Sequence, residues 1–490
     1  MPGSAYPASS GWIRYHCPAL QDGMAGAKRV LRDGWLFRNL HQESLLRTKT
    51  IVCIGAGASA TLVAYHLDRL GFRGRIVLAD RHPGNGPAYA SCDHRHVLNV
   101  PAGNMGAATD DPGGFLHWLN HLGIDPPVVA TDFVPRQLYG LYLDALIEPL
   151  RAEGRVIRVR VGVCGLTRKE KSWRVDLERG SAIQADAVVL AIGNLPPRML
   201  PGAELIDERL VVNDPWRCRF EDFIRPHSRV LFVGTGLTMV DGVLSLAPAA
   251  RNGVHLTALS RHGRLPLPWG TQESLDFDAS DTAPSLRGLL RQLRLRVAAG
   301  ESWERVMNGL RVKAQTLWTH LSPADQARFL RHGRAFWAIH RHRIPDRNHE
   351  TLRQLRQAGR LEILPARLER LRQVGNRVQA RWCRRGQASR EEGWFDLVVN
   401  ATGPEAHYER SRDPLLRQLF AAGHVRAHPL GMGLDATPAG ALRGADGTIS
   451  SGLHSLGAPM QGVLLECTAI PDIRLAAERL AGALRQELQG

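Results

Sequence analysis

Two strand–GxG–helix units, each followed downstream by an apolar strand ending in Ala-x-Gly, predict the fold class. It is α/β, with two Rossmann-like dinucleotide-binding domains. An arginine-rich helical stretch inside the second unit predicts a helical insertion. In the first unit, the β-branched run Ile51–Ile54 reads as a buried strand, and Gly55 allows the tight turn after it. Gly57 lets the backbone approach a pyrophosphate, Ser59 opens the helix, and Ala60 is small enough for that helix to pack close to the strand. The helical run carries Leu62, Val63, Tyr65, His66 and Leu70 and stops at Gly71. A second strand, Ile76–Ala79, closes on Asp80, roughly twenty residues beyond the turn, where a carboxylate takes a ribose 2′-hydroxyl. The helix N-terminus holds the diphosphate.

The second unit runs Arg229–Val233, Gly234-Thr235-Gly236, then a helix through Thr238, Val243 and Leu246, and a strand Val254–Leu259. That strand closes on Ser260-Arg261-His262 in place of an acid. An acid repels a 2′-phosphate, whereas a hydroxyl and a guanidinium bind one. The first site is therefore expected to take FAD and the second NADPH.

The chain has 490 residues, enough for two or three domains, and no apolar run of eighteen. The first ten residues are uncharged and lead into no signal-like apolar stretch. Seven cysteines include no CxxC pair, which points to the cytoplasm and away from zinc or a thiol–disulfide centre; no metal is expected. The net charge of +16 invites a nucleic-acid reading, but all but five of the basic residues are arginine and none form a tract. The expected partner is a small-molecule substrate, with no nucleic acid and no membrane, and a homo-oligomer is left open.

Residues 1–47 read as an N-terminal extension, or as chain preceding an internal start at Met24. The expected organisation is then 48–203 as the first part of the FAD domain and 204–395 as the NADPH domain, with its insert at about 275–345. Residues 396–490 are expected to return to the FAD domain. After the first βαβ, Gly84–Tyr89 and His94–Met105 are loops that reach the ligand crevice, so Leu98, Asn99, Val100, Asn104 and Met105 are expected beside the flavin. Val156–Val163, Ser172–Leu177 and Ala182–Leu190 read as an antiparallel meander ending at Gly193, and Gly403 ends the corresponding later strand. In the insert, Leu286–Val297, Trp303–Leu317 and Pro323–Trp337 are helical. It ends at His340, Arg341 and Arg343, which either clamp an anionic substrate or pair with acids. Near the C-terminus, Gly457, Gly462 and a helix to about Leu484 are expected to meet the flavin.

Several stretches carry a resemblance: Gly86-Pro-Ala-Tyr89, His96–Pro101, Gly234–Asp241, Trp337 with His340–Arg343, and Glu466–Arg474. On these the chain is similar to the bacterial FAD/NAD(P)-binding protein family, two-dinucleotide-binding-domain flavoproteins related to flavin-dependent N-hydroxylating monooxygenases. The resemblance implies an NADPH- and O2-dependent monooxygenase. It works through a flavin C4a-hydroperoxide on a small nucleophile, an amino-acid amine with an aspartate-like substrate among the candidates. Asn99 and Asn104 are the candidate donors on the oxygen side. Gly457-Ala458 replaces the Gly-Asp usual in the reductases of this fold. The alternatives are an NADPH oxidase or reductase without oxygen insertion, and a flavin-bound redox sensor.

Overall fold

The computed structural model describes residues 48–489 except 83–85, 91–92, 218, 251, 271–273 and 275–284. The expected extension 1–47, part of the Gly84–Tyr89 loop and the start of the insert lie outside the described residues.

Strands β1 (Thr50–Ile54) and β2 (Arg75–Ala79) pair in parallel, and β3 (Val156–Val159) extends the sheet beyond β2. Strands β4 (Val163–Lys169), β5 (Ser172–Leu177) and β6 (Ile183–Ala185) form a separate antiparallel sheet. Strand β7 (Ala187–Leu190) returns to pair in parallel with β1. The expected meander is thus shorter than its three runs. The fully buried Ala-Val-Val-Leu of β7 suits a strand covered on both faces, whereas β4 to β6 mix buried and exposed positions.

The second sheet comprises β8 (Val211–Val212), β9 (Arg229–Val233), β10 (His255–Ser260), β11 (Leu361–Val374), β12 (Arg377–Arg384), β13 (Arg390–Phe395) and β14 (Leu397–Asn400). Its centre is parallel, in the order β11-β10-β9-β14-β8, and β12 and β13 add antiparallel at one edge. This corrects the expected boundary at 396, because β14 pairs with β9 as β7 pairs with β1. The boundary at 204 also moves earlier, since Leu200 and Ala203 already pack into the second core. The chain then re-enters the first sheet with β15 (Ala441–Arg443) and β16 (Ile449–Ser455), the latter parallel to β7.

Strand alternation decides which layer each residue meets. Ile51 and Cys53 of β1 face the helices Ala58–Arg69, Arg136–Ala152 and Ile470–Gln489, while Val52 and Ile54 face the small antiparallel sheet. In the second domain Val230 and Phe232 meet the helix Leu237–Ala250, and Leu231 and Val233 meet Leu371, Val378 and Trp382. Each fully buried leucine of these cores, such as Leu62 or Leu78, contributes about 1.5–3 kcal/mol.

The insert forms helices at Leu286–Ala298, Trp303–Val312, Ala314–His320, Pro323–His332 and Arg334–Arg341. Two expected long helices break, one at Lys313 and one at Gly333. Ser285 and Ser322 cap their helices by accepting from Gly288 and Asp325 N–H groups. Leu289, Leu293, Val306, Met307 and Trp337 give the insert its own core.

Polar contacts join the two domains beside the helix Leu237–Ala250. Asp93 Oδ2 accepts from Ser245 Oγ at 2.6 Å, and Arg95 Nη1 donates to the Ser245 carbonyl at 2.9 Å. The buried Arg136 lies 2.9 Å from Asp241 Oδ2. Among the described residues no helix is long and apolar enough to cross a membrane, and no group of three or more His, Cys, Asp or Glu could hold a metal.

Candidate active site

The carboxyl ends of the first sheet's strands bring the expected FAD residues together. Gly55 has φ +108, and its N–H donates to Ala79 O at 2.7 Å. A Cβ at Gly55 would stand 2.3 Å from the Ala191 carbonyl oxygen, so the turn passes directly over the strand that leads to Gly193. Gly57 caps the helix in an extended conformation without a side-chain acceptor, and the first turn holds no acid. Among the described residues no side chain takes up the N–H donors there, which suits a diphosphate. Asp80 Oδ2 accepts from Ala56 N–H at 3.0 Å and Oδ1 from His82 N–H at 2.9 Å. These bonds anchor the carboxylate at the end of β2 and leave lone pairs for a ribose. Gly457, at φ +79, follows β16 with its Cα beside Ser59, whose Oγ a Cβ would meet at 2.8 Å. Tyr408 donates its hydroxyl to the Gly193 carbonyl at 2.9 Å.

Leu98, Val100 and Met105 are buried in the first core, as is Ala60. Asn99 accepts at its carbonyl from Trp269 Nε1 at 3.0 Å, which ties the loop to the second domain. Asn104 is exposed and accepts at Oδ1 from Arg474 Nη2 at 2.9 Å. Gly462 is a close-packing glycine: a Cβ would stand 2.3 Å from Met432 O, and its own carbonyl accepts from Trp318 Nε1.

The second crevice repeats the first. Gly234 has φ +120, and a Cβ would stand 2.0 Å from Ala401 O, the residue that leads to Gly403. Gly236 is exposed with open space where a Cβ would go, and Thr238 is half-buried in the first turn of the helix. Ser260 differs from expectation. Its Oγ is 2.9 Å from Thr235 Oγ1 and accepts from Gly263 N–H, so the hydroxyl shapes the turn. Arg261 is exposed and makes no hydrogen bond or ion pair among the described residues. Burial first, then the neighbouring Arg385, Arg264 and Arg261, holds the His262 pKa below its usual value, and burial followed by Arg261 lowers that of Arg334. A single sign of charge is gathered at this strand end.

The expected anion clamp at 340–343 is organised otherwise. His340 Nε2 accepts from Trp303 Nε1 at 3.0 Å. Arg341 is buried with its Nη2 2.6 Å from Asp472 Oδ2, and its Nε stands 3.0 Å from Glu466 Oε2 as an ion pair without hydrogen-bond alignment. Arg343 donates to the carbonyls of His340 and Trp269. All three are engaged by internal partners: the C-terminal segment brings Glu466 and Asp472 to Arg341, while Trp303 and backbone carbonyls occupy His340 and Arg343. Burial and the neighbouring Arg341, Arg311 and Arg334 push the His342 pKa down to about 3. Its unfolded value is 6.5, so the unfolded chain takes up a proton first and stability falls as pH drops from 6.5 towards 3. His342→Gln is expected to flatten the fall of Tm across that window; an unchanged slope would remove His342 as its cause.

Arg311, Trp269, Arg334, Arg385 and Arg474 were missed by sequence reasoning. The Pro266-Leu-Pro-Trp269 loop carried a usable signal, since it follows a strand of the second βαβ just as 94–105 follows the first. A surface depression of about 430 Å3, lined by Pro201, Leu205, Glu369 and Arg372 among others, shares no residue with either GxG turn and is not the active site.

Two sheets with parallel centres and a GxG crevice at each carboxyl edge define a two-dinucleotide-binding flavoprotein fold. Residues 52–195 match the family model described as FAD-NAD(P)-binding. No curated protein sequence matches the chain. Among solved structures, the chain is similar to the reduced ornithine hydroxylase of Pseudomonas aeruginosa, at 15% identity and TM-score 0.62, over 90% of this chain and 100% of that one. The ornithine N-hydroxylase of Kutzneria sp. 744, in complex with reduced FAD, NADP+ and L-ornithine, matches at 13% identity and TM-score 0.61, over 90% and 99%. The FAD-bound cadaverine monooxygenase of desferrioxamine biosynthesis from Erwinia amylovora matches at 15% identity and TM-score 0.63, over 91% and 95%.

Proposed function

We propose that the chain is an NADPH-dependent flavin monooxygenase that oxygenates the amine of a small amino-acid-like substrate. The observation that carries this reading is the contrast between the two strand ends. Asp80 closes the first crevice with a carboxylate suited to an unphosphorylated ribose. Arg261 closes the second within a cationic group suited to a 2′-phosphate. The two crevices fit FAD and NADPH respectively, and the shared fold with amine N-hydroxylases supports the oxygenase class.

Bound FAD supplies the redox chemistry, taking two electrons from NADPH and delivering them to O2. Overall, an amine, O2, NADPH and a proton become a hydroxylamine, water and NADP+. The chain's residues hold and orient. Arg474 can only donate, so it fixes the Asn104 amide with its oxygen towards Arg474 and leaves its NH2 as a donor. Asn99 and Asn104 are the proposed polar groups on the oxygen side. Trp269 holds the Asn99 backbone and joins the loop to the second domain. Cys53 and Cys467 are buried free thiols whose pKa values burial pushes up, so neither is poised as a thiolate for thiol–disulfide exchange.

The test is to incubate FAD-loaded protein with NADPH, O2 and a panel of amino acids and diamines. N-hydroxylated product matching the NADPH consumed is expected. Stoichiometric peroxide with every candidate and no product would convert the reading to an oxidase; absence of flavin reduction would leave the sensor. Arg261→Ala is expected to raise the KM for NADPH on the order of tenfold while leaving that for NADH unchanged. An equal effect on both would remove Arg261 from 2′-phosphate recognition.

A further inference from the structure

Three guanidiniums, Arg311, Arg341 and Arg343, gather where the insert meets the C-terminal segment, facing two carboxylates, Glu466 and Asp472. Both carboxylates are bound to Arg341, and Arg343 donates to backbone carbonyls. Arg311, on the helix Trp303–Val312, is left over. Its guanidinium carbon stands 5.0 Å from the Trp269 ring centroid, and among the described residues none of its nitrogens has a hydrogen-bond acceptor. The Nε is buried outright. Burial and the like charges of Arg341 and Arg343 bring its pKa down to about 9, which leaves it a cation at neutral pH.

A half-buried cation with no acceptor among the described residues is costly, and a ligand anion removes that cost. The position says which ligand. The same Trp269 that supports Arg311 donates to the carbonyl of Asn99, in the loop bordering the flavin crevice. Arg311 is not among the arginines that act on His262 beside Arg261 and Arg385. The planar guanidinium on an aromatic face suits bidentate capture of a carboxylate.

We propose that Arg311 binds the carboxylate of the substrate, which makes that substrate a carboxylated amine and not a simple diamine. This rests on the monooxygenase reading above. Arg341 then acts as a positioning residue, holding Glu466 and Asp472 away from Arg311 so that its charge stays available.

The experiment uses FAD-loaded full-length protein, wild type, Arg311→Ala and Arg311→Lys. Binding is read by calorimetry and flavin absorbance. The probes are the common L-amino acids with L-ornithine, paired where possible with decarboxylated partners: L-ornithine with putrescine and L-lysine with cadaverine. At least one carboxylated amine is expected to bind the wild type. Its Kd should rise on the order of tenfold or more in Arg311→Ala and recover in part in Arg311→Lys. Any decarboxylated partner should bind both alike. The ligand should also raise the Tm of the wild type and not of Arg311→Ala. Without ligand, Arg311→Ala should melt no lower than the wild type, since it removes an unpaired charge; a lower Tm would show a structural role instead. The proposal is overturned if no amino acid binds, if carboxylated and decarboxylated partners bind equally, or if Arg311→Ala loses FAD or NADPH affinity. Carboxylate binding that depends on Arg311, with peroxide the only product, would uphold the site and overturn the oxygenase reading.

Discussion

Gly55→Ala is expected to yield a protein without bound FAD. The new Cβ falls 2.3 Å from the Ala191 carbonyl oxygen and 2.9 Å from its carbon, and φ +108 is a region L side chains rarely adopt. Neither atom can retreat cheaply, because Ala191 follows β7 and Ala191 N–H donates back to Ile54 O. Backbone strain alone costs about 1–3 kcal/mol, and separating the strands would disturb β1–β7 pairing along the FAD crevice. The check is flavin absorbance per chain after purification, with Tm alongside. Full FAD content at an unchanged Tm would show that the turn relaxes and that the close approach is not needed. The matching change Gly234→Ala, whose Cβ would stand 2.0 Å from Ala401 O, separates the two sites. It is expected to keep FAD in the first domain but to be reduced poorly by NADPH.

Arg341→Ala is expected to destabilise the protein by about 3–5 kcal/mol, the range for breaking a buried ion pair from one side. It leaves Glu466 and Asp472 without their counter-charge where the insert meets the final helix. The pH dependence reveals the cause. Burial already raises the Asp472 pKa, with Arg341 the first group opposing that rise. Without Arg341 the folded-state pKa climbs further above the unfolded value of 3.8. A carboxyl whose folded pKa is raised contributes stability at low pH and loses it as pH rises through that pKa. The deficit of Arg341→Ala should therefore shrink on acidification and widen towards neutral pH. A deficit that does not change with pH would point to lost packing instead.

Much of the fold was legible. The β-branched runs at 51–54 and 230–233, the glycines after them and the residues at the following strand ends are local patterns, and each turned up at its expected place. The strands ending in Ala-x-Gly were also legible, but not their sheet. β14 read as part of the returning FAD domain because nothing in Leu397–Asn400 names its neighbour, and pairing with β9 is a long-range choice. The meander was overextended for the same reason: Ala182–Leu190 reads as one β-type run, yet Ile183–Ala185 and Ala187–Leu190 join different sheets.

The candidate site divides along the same line. By itself the sequence determined that two dinucleotide crevices exist and that one ends in an acid and the other in a guanidinium. A GxG turn, a helix N-terminus and a strand-end residue lie within about thirty residues of chain, so backbone geometry enforces them locally. Only the tertiary structure decided which cations are neutralised. Arg341, Arg343 and Arg311 look alike in sequence as arginines of one helical insert. Glu466 and Asp472, more than a hundred residues later, fold onto Arg341, while backbone carbonyls occupy Arg343. Arg311 lies over Trp269 with no hydrogen-bond acceptor among the described residues. The availability of a buried charge depends on where every opposing charge comes to rest, and that is a property of the packed chain.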